Sequence, residues 1–144
     1  MKILVSILIL TSFLIANNFE KGFSKLTTEQ MAEVLSQMIG KELPRRLDEI
    51  TVAKETYSNG KTYGMKKFLI PENEKVAKDF KPYLVSKLYE KQSFYEFMKR
   101  SEVINMCKSR LIKMFLYNNG QVKIDYYNQE EENILFILLN KKDC

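Results

Sequence analysis

Residues 3–16 are apolar apart from Ser6, Thr11 and Ser12, and Lys2 stands ahead of them. Residues 17–26 are polar with scattered aromatics and read as a flexible leader. From Thr27 the apolar positions take up helical spacing, with Met31, Val34, Leu35, Met38 and Ile39 on one stripe. Thr27 followed by Gln30 is a capping-box pair at the start of this helix. Gly40 fits the left-handed position that ends one.

The period then shortens to two. Residues 51–57 and 61–70 flank Ser58-Asn59-Gly60, a turn sequence that tolerates positive φ and predicts a hairpin. Tyr63, Met65 and Leu69 alternate with polar neighbours, and Pro71 ends the strand because it has no amide hydrogen for a ladder. Residues 72–100 return to helical spacing. Pro82 suits a first helical turn, so the pattern predicts one helix at 73–79 and a second at 81–92, with a capping pair at Ser93 and Glu96 opening a further turn. A longer helix is expected from Ser101, with Val103, Met106, Cys107, Arg110, Leu111 and Met114 on one face, stopped at Asn118-Asn119-Gly120. Val122, Ile124 and Tyr126 alternate again. After the acidic turn at 128–133, the unbroken apolar run Ile134 to Leu139 predicts a central strand.

The order is therefore helix and hairpin, a helical middle, then helix and hairpin. The expected fold is α+β: one four-stranded antiparallel sheet built from two β-hairpins, with helices mostly on one face. Residues 27–144 make one domain, long enough to bury a core of its own.

The N-terminal run changes how the rest is read. About fourteen apolar residues behind a lysine match a signal-peptide core and fall short of the roughly 20 needed to cross a bilayer. Residues 1–16 are expected to be a signal peptide cleaved after Ala16. Leu14 is bulky for such a site, which leaves an uncleaved inner-membrane anchor over 3–16 as the alternative. The chain is thus expected to be exported, periplasmic or secreted. Cys107 and Cys144 are the two cysteines of the chain. In an oxidising compartment an even count predicts one disulfide, worth on the order of 3–4 kcal/mol by chain-entropy reasoning. The alternative is two free thiols in a reducing compartment.

Chemistry is mostly excluded. The 144 residues contain no histidine, so Ser-His-Asp and Cys-His mechanisms are impossible within this chain. Two cysteines without histidine are too few soft ligands for a zinc site, and the spacing is not that of a redox pair. No catalytic residue, metal or cofactor is assigned. A formal net charge of +5 is mild and spread along the chain, so nucleic acid is not an expected partner. Tyr89, Phe94, Tyr95 and Phe97 cluster with Lys91, Lys99 and Arg100. They read either as a packed helix with a charged rim or as a surface for docking another protein.

One further pattern adds to this. Leu43-Pro44 and Asp48-Glu49-Ile50-Thr51 precede a hairpin strand with Tyr63. A Cys-led helix follows over 107–116, then Gly120, a strand with Tyr126-Tyr127, a turn, and a last strand ending in Asp143-Cys144. Over residues 27–144 this resembles a group of small exported bacterial proteins of uncharacterised function. The long helical middle departs from their pattern. The resemblance implies an exported α+β domain with a Cys107–Cys144 bond and supplies no activity. Small disulfide-bearing pilotins of secretion systems are similar in size and composition only, and the cysteine that anchors them to a membrane has no counterpart here.

The expected function is accordingly non-enzymatic: an exported binding or accessory protein that docks another protein through a helical or sheet-edge surface. A membrane enters only through an uncleaved N-terminal segment. The alternative is a small secreted enzyme or toxin using carboxylate or Ser-Lys chemistry, which a deep pocket lined by two or more of Asp48, Glu49, Asp125 and Glu130 would favour.

Overall fold

The computed structural model describes residues 17–89 and 91–144, leaving aside the side chains of 82–91. The expected signal peptide lies outside the described residues. Residues 17–23, expected as a flexible leader, are helical (α1) and bury Phe23. Helix α2 (Thr28–Gly40) starts from the expected capping box. Thr27 Oγ1 accepts from the Gln30 N–H at 3.2 Å, and Gln30 Oε1 accepts from the Thr27 N–H at 2.9 Å. Its buried face is Thr28, Met31, Ala32 and Leu35, whereas Met38 is exposed. Gly40 does not take the left-handed conformation; it is the last helical residue, and a Cβ there would stand 2.9 Å from Thr56 Oγ1. Close approach to the sheet accounts for that glycine.

The sheet corrects the expected topology. It has five strands in the order β1-β2-β3-β4-β5: β1 (Arg45–Arg46), β2 (Thr51–Asn59), β3 (Thr62–Leu69), β4 (Gln121–Tyr127) and β5 (Asn133–Leu139). β2 and β3 form one antiparallel hairpin and β4 and β5 another. Between the hairpins β3 and β4 run parallel, with Tyr63 beside Val122, Met65 beside Ile124 and Lys67 beside Tyr126. The sheet is therefore mixed and five-stranded, not four-stranded and antiparallel. A parallel pair requires a long crossover, and the helical middle supplies it. The short β1 is the fifth strand. β5 is an edge strand and not a central one, with Phe136 50% exposed.

The crossover carries α3 (Glu74–Tyr89), α4 (Lys91–Met106) and α5 (Arg110–Tyr117). α3 continues through Pro82 where two helices were expected, and it starts with Asn73 Oδ1 accepting from the Val76 N–H at 3.0 Å. Ser93 and Ser101 both lie inside α4. The break falls later, where Ser109 caps α5 by accepting from the Ile112 N–H. Arg110, expected on the apolar face, is exposed and pairs with Glu20 at 3.1 Å. One sheet face carries the core: Tyr63, Met65, Val122, Ile124, Ile137 and Leu139 pack with Leu35 of α2 and Ile112, Phe115 and Leu116 of α5. The other face carries Tyr57, Phe68, Tyr127 and Phe136. Phe68 stacks on Tyr127 at 4.9 Å between ring centroids, and Lys54 lies 4.0 Å over the Phe68 ring.

Candidate functional site

A cleft of about 560 Å³ opens where α3 and α4 meet the start of β2. Its walls are apolar. Val76 and Phe80 come from α3, Phe94, Phe97 and Met98 from α4, Leu69 from the end of β3 and Ile50 from the loop before β2. Asp48, Glu49 and Asp79 add three carboxylates to the lining. The loop that brings two of them is held locally. Asp48 Oδ1 accepts from the backbone N–H groups of Ile50 and Thr51 at 2.9 and 2.8 Å. The Arg46 guanidinium donates to the backbone carbonyls of Asp48, Glu49 and Ile70 at 3.2, 3.3 and 2.9 Å. Arg46 thus ties the loop between β1 and β2 to the end of β3 through main-chain oxygens. Asp48 uses one carboxylate oxygen, Oδ1, to hold a turn.

The aromatic cluster expected to dock a partner divides on α4. Phe94 is buried and Phe97 is 51% exposed, and both line the cleft. Tyr95 points elsewhere and packs on the core. Lys99 is held at the tail, its ammonium 2.9 Å from Asp143 Oδ1, and Arg100 is exposed. The side chains of Tyr89 and Lys91 lie outside the described residues. Among the described residues, the charged side chains lining this cleft are Asp48, Glu49 and Asp79.

The tail fixes the far end of α4. Cys107, just past that helix, is bonded to Cys144 across a sequence separation of 37 residues. One residue before the bridge, burial pushes the Asp143 carboxyl up, but the Asn140 N–H and the Lys99 ammonium outweigh it and hold it below the usual carboxylate range. The same ion pair raises Lys99, against a smaller opposing effect of burial.

A second polar feature lies under α4, and no sequence signal marked it. The Lys67 ammonium on β3 donates to Glu102 Oε1 of α4 at 2.6 Å, with both side chains almost fully buried. The Tyr126 hydroxyl donates to the same oxygen. Burial first, and then the Glu102 charge, push the hydroxyls of Tyr63 and Tyr126 well above the usual phenol range. A lysine inside an alternating strand reads as solvent-facing. Only its parity with Tyr63, Met65 and Leu69 on the core face could have revealed it.

The other carboxylates are dispersed. Asp125 accepts from the Tyr57 hydroxyl at 2.6 Å on the opposite sheet face. Glu130 borders a separate cleft with Pro71, Phe80 and Ile134. Among the described residues no group of three or more Cys, Asp or Glu side chains is placed to hold a metal ion, and no helix is long and apolar enough to cross a membrane.

No protein-family model matches the chain, and no curated protein matches it. Solved structures do. A Pseudomonas aeruginosa protein assigned as secreted superposes with a TM-score of 0.59 at 9% identity, over 81% of this chain and 92% of its own. The pilotin EpsS of the Vibrio vulnificus type 2 secretion system gives 0.59 at 15% identity, over 81% and 91%. The fold is similar to that of these two solved structures. AspS of Vibrio cholerae, a third match, gives 0.54 at 15% identity, over 81% and 92%. At such identities the pilotin likeness speaks for the architecture alone. It places the five-stranded mixed sheet and its helices in a known arrangement.

Proposed function

We propose that this is an exported, non-enzymatic accessory protein that seats an apolar segment of another protein in the cleft between α3 and α4. The cleft carries this reading. Phe97 and Met98 offer apolar contact beside buried Phe94, and Asp48, Glu49 and Asp79 suit a segment with a cationic flank. The structural neighbours support an accessory role, since two of them are pilotins of type II secretion and a third is assigned as secreted. The N-terminal apolar run supports export.

The cleft also meets the condition set above for an enzyme, because Asp48 and Glu49 both line it. Their arrangement disfavours that reading. Asp48 Oδ1 caps a turn, and both residues are exposed.

The test is capture from envelope extracts of the native host with the wild-type chain and with Phe97→Glu and Met98→Glu. A specific partner retained by the wild type and lost by folded variants supports the cleft. A partner retained equally by all three, or no specific partner at all, removes it.

A further inference from the structure

The two edges of the sheet are built differently. The first edge, β1, is two residues long, follows Pro44, and consists of Arg45 and Arg46, both exposed. A short, cationic, proline-led strand is a standard defence against pairing with another sheet. The last edge has none of these features. β5 runs for seven residues, Asn133–Leu139, with no charge, no proline and no glycine, in a chain that is 28% charged. It pairs with β4 on one side only, so alternate residues direct their N–H and C=O groups outward. Its register places Phe136 and Leu138 on the sheet face opposite the core, and Phe136, the midpoint of the strand, is half exposed.

We propose that the outer edge of β5 is a self-association surface on which a second copy of this chain adds its own β5, antiparallel. Charge decides the occupant. Around a two-fold axis each residue meets its mirror position, so Phe136 faces Phe136 and Asn133 faces Leu139 of the second copy. Any charge at the centre of such a strand would face itself, and β5 has none. A strand from an unrelated protein would find no charged group on this edge to set its direction or register. Symmetric pairing needs none. The result is a ten-stranded sheet in which the Phe136 and Leu138 stripes of two copies become one apolar strip. Lys123, 5.3 Å over the Phe136 ring, stands at its side and stays in water. This surface is independent of the α3–α4 cleft.

Sedimentation equilibrium of the full-length chain over a concentration series reads the association directly, and amide hydrogen exchange at both ends of the series locates it. The expected result is a dimer mass at high concentration with exchange slowed over 133–139. Phe136→Lys sets two like charges face to face and should raise the dissociation constant by roughly tenfold or more, with the circular dichroism of the fold kept. Should that variant fail to fold, Phe136→Thr preserves strand propensity and should weaken association in the same direction. A wild-type chain that stays monomeric throughout overturns the proposal. So does a dimer without slowed exchange at β5, a dimer unaffected by a folded Phe136 variant, or an edge that takes up a foreign extended peptide while the chain remains monomeric.

Discussion

Glu102 of α4 and Lys67 of β3 meet at 2.6 Å beneath the helices, and water reaches almost nothing of either side chain. The pair pins the helix that carries Phe94, Phe97 and Met98 to the strand beneath it. Glu102 Oε2 and the Tyr63 hydroxyl, both buried, have no hydrogen-bond partner among the described residues. The network is only partly satisfied.

Removing one member therefore strands the other. Lys67→Met alone or Glu102→Gln alone should cost about 3–5 kcal/mol, because an isolated buried charge loses its partner. Lys67→Met combined with Glu102→Gln should cost less than the two singles together. Urea denaturation of all four proteins gives the coupling energy, and additive losses would contradict the pairing.

The Cys107–Cys144 bridge closes a loop that includes α5, β4 and β5. Cys107→Ser or Cys144→Ser should lower stability by on the order of 3–4 kcal/mol. The double variant should lose no more than either single. Denaturation midpoints with and without reductant check this.

The ring of Tyr57 lies over Gly64, where an added Cβ would stand 2.1 Å from Cζ. Gly64→Ala should destabilise the wild type by about 1–3 kcal/mol through forced displacement of that ring. In a Tyr57→Ala background the same change should cost much less. Equal costs in both backgrounds would show that the ring is not what the glycine accommodates.

Lys99 and Asp143 make stability depend on pH at both ends of the range. Asp143 has its folded pKa depressed, so its contribution is complete above the ordinary carboxylate pKa and is lost as pH falls through the lower folded value. Lys99 has its folded pKa raised, so its contribution is complete below the ordinary lysine pKa and is lost as pH rises through the higher folded value. Both groups are partly solvated and the effect is small. Unfolding curves of Asp143→Asn against the wild type should differ most between those two limits and converge outside them.

Local signals carried well in this chain and long-range ones did not. Thr27 and Gln30 form the capping box their spacing implies, and Gly60 takes the positive φ of the hairpin turn, at 55°. The two cysteines lie at bonding distance, as export and even count suggested. The direction in which β4 returns beside β3 is not encoded in either strand. It depends on where the helical middle delivers the chain. β5 misled for a related reason, since an unbroken apolar run describes a buried central strand and an unguarded edge equally well. Pro82 argued for two helices because its missing N–H is costly in isolation, but α3 continues through it. The cleft drew on aromatic residues that stood out in the sequence, Phe94 and Phe97. Its acidic lining came from Asp48, Glu49 and Asp79, which lie far from them along the chain and meet them only through the fold.

The parallel union of β3 with β4 also governs the order of assembly. As the nascent chain emerges, the first hairpin is complete at Leu69, yet the flank that β3 offers to β4 stays vacant until residues 121–127 arrive. Contacts so distant along the polypeptide defer the reward for ordering everything between them. The two hairpins resemble repeated modules, but each half taken alone would leave bare the strand flank that the other covers.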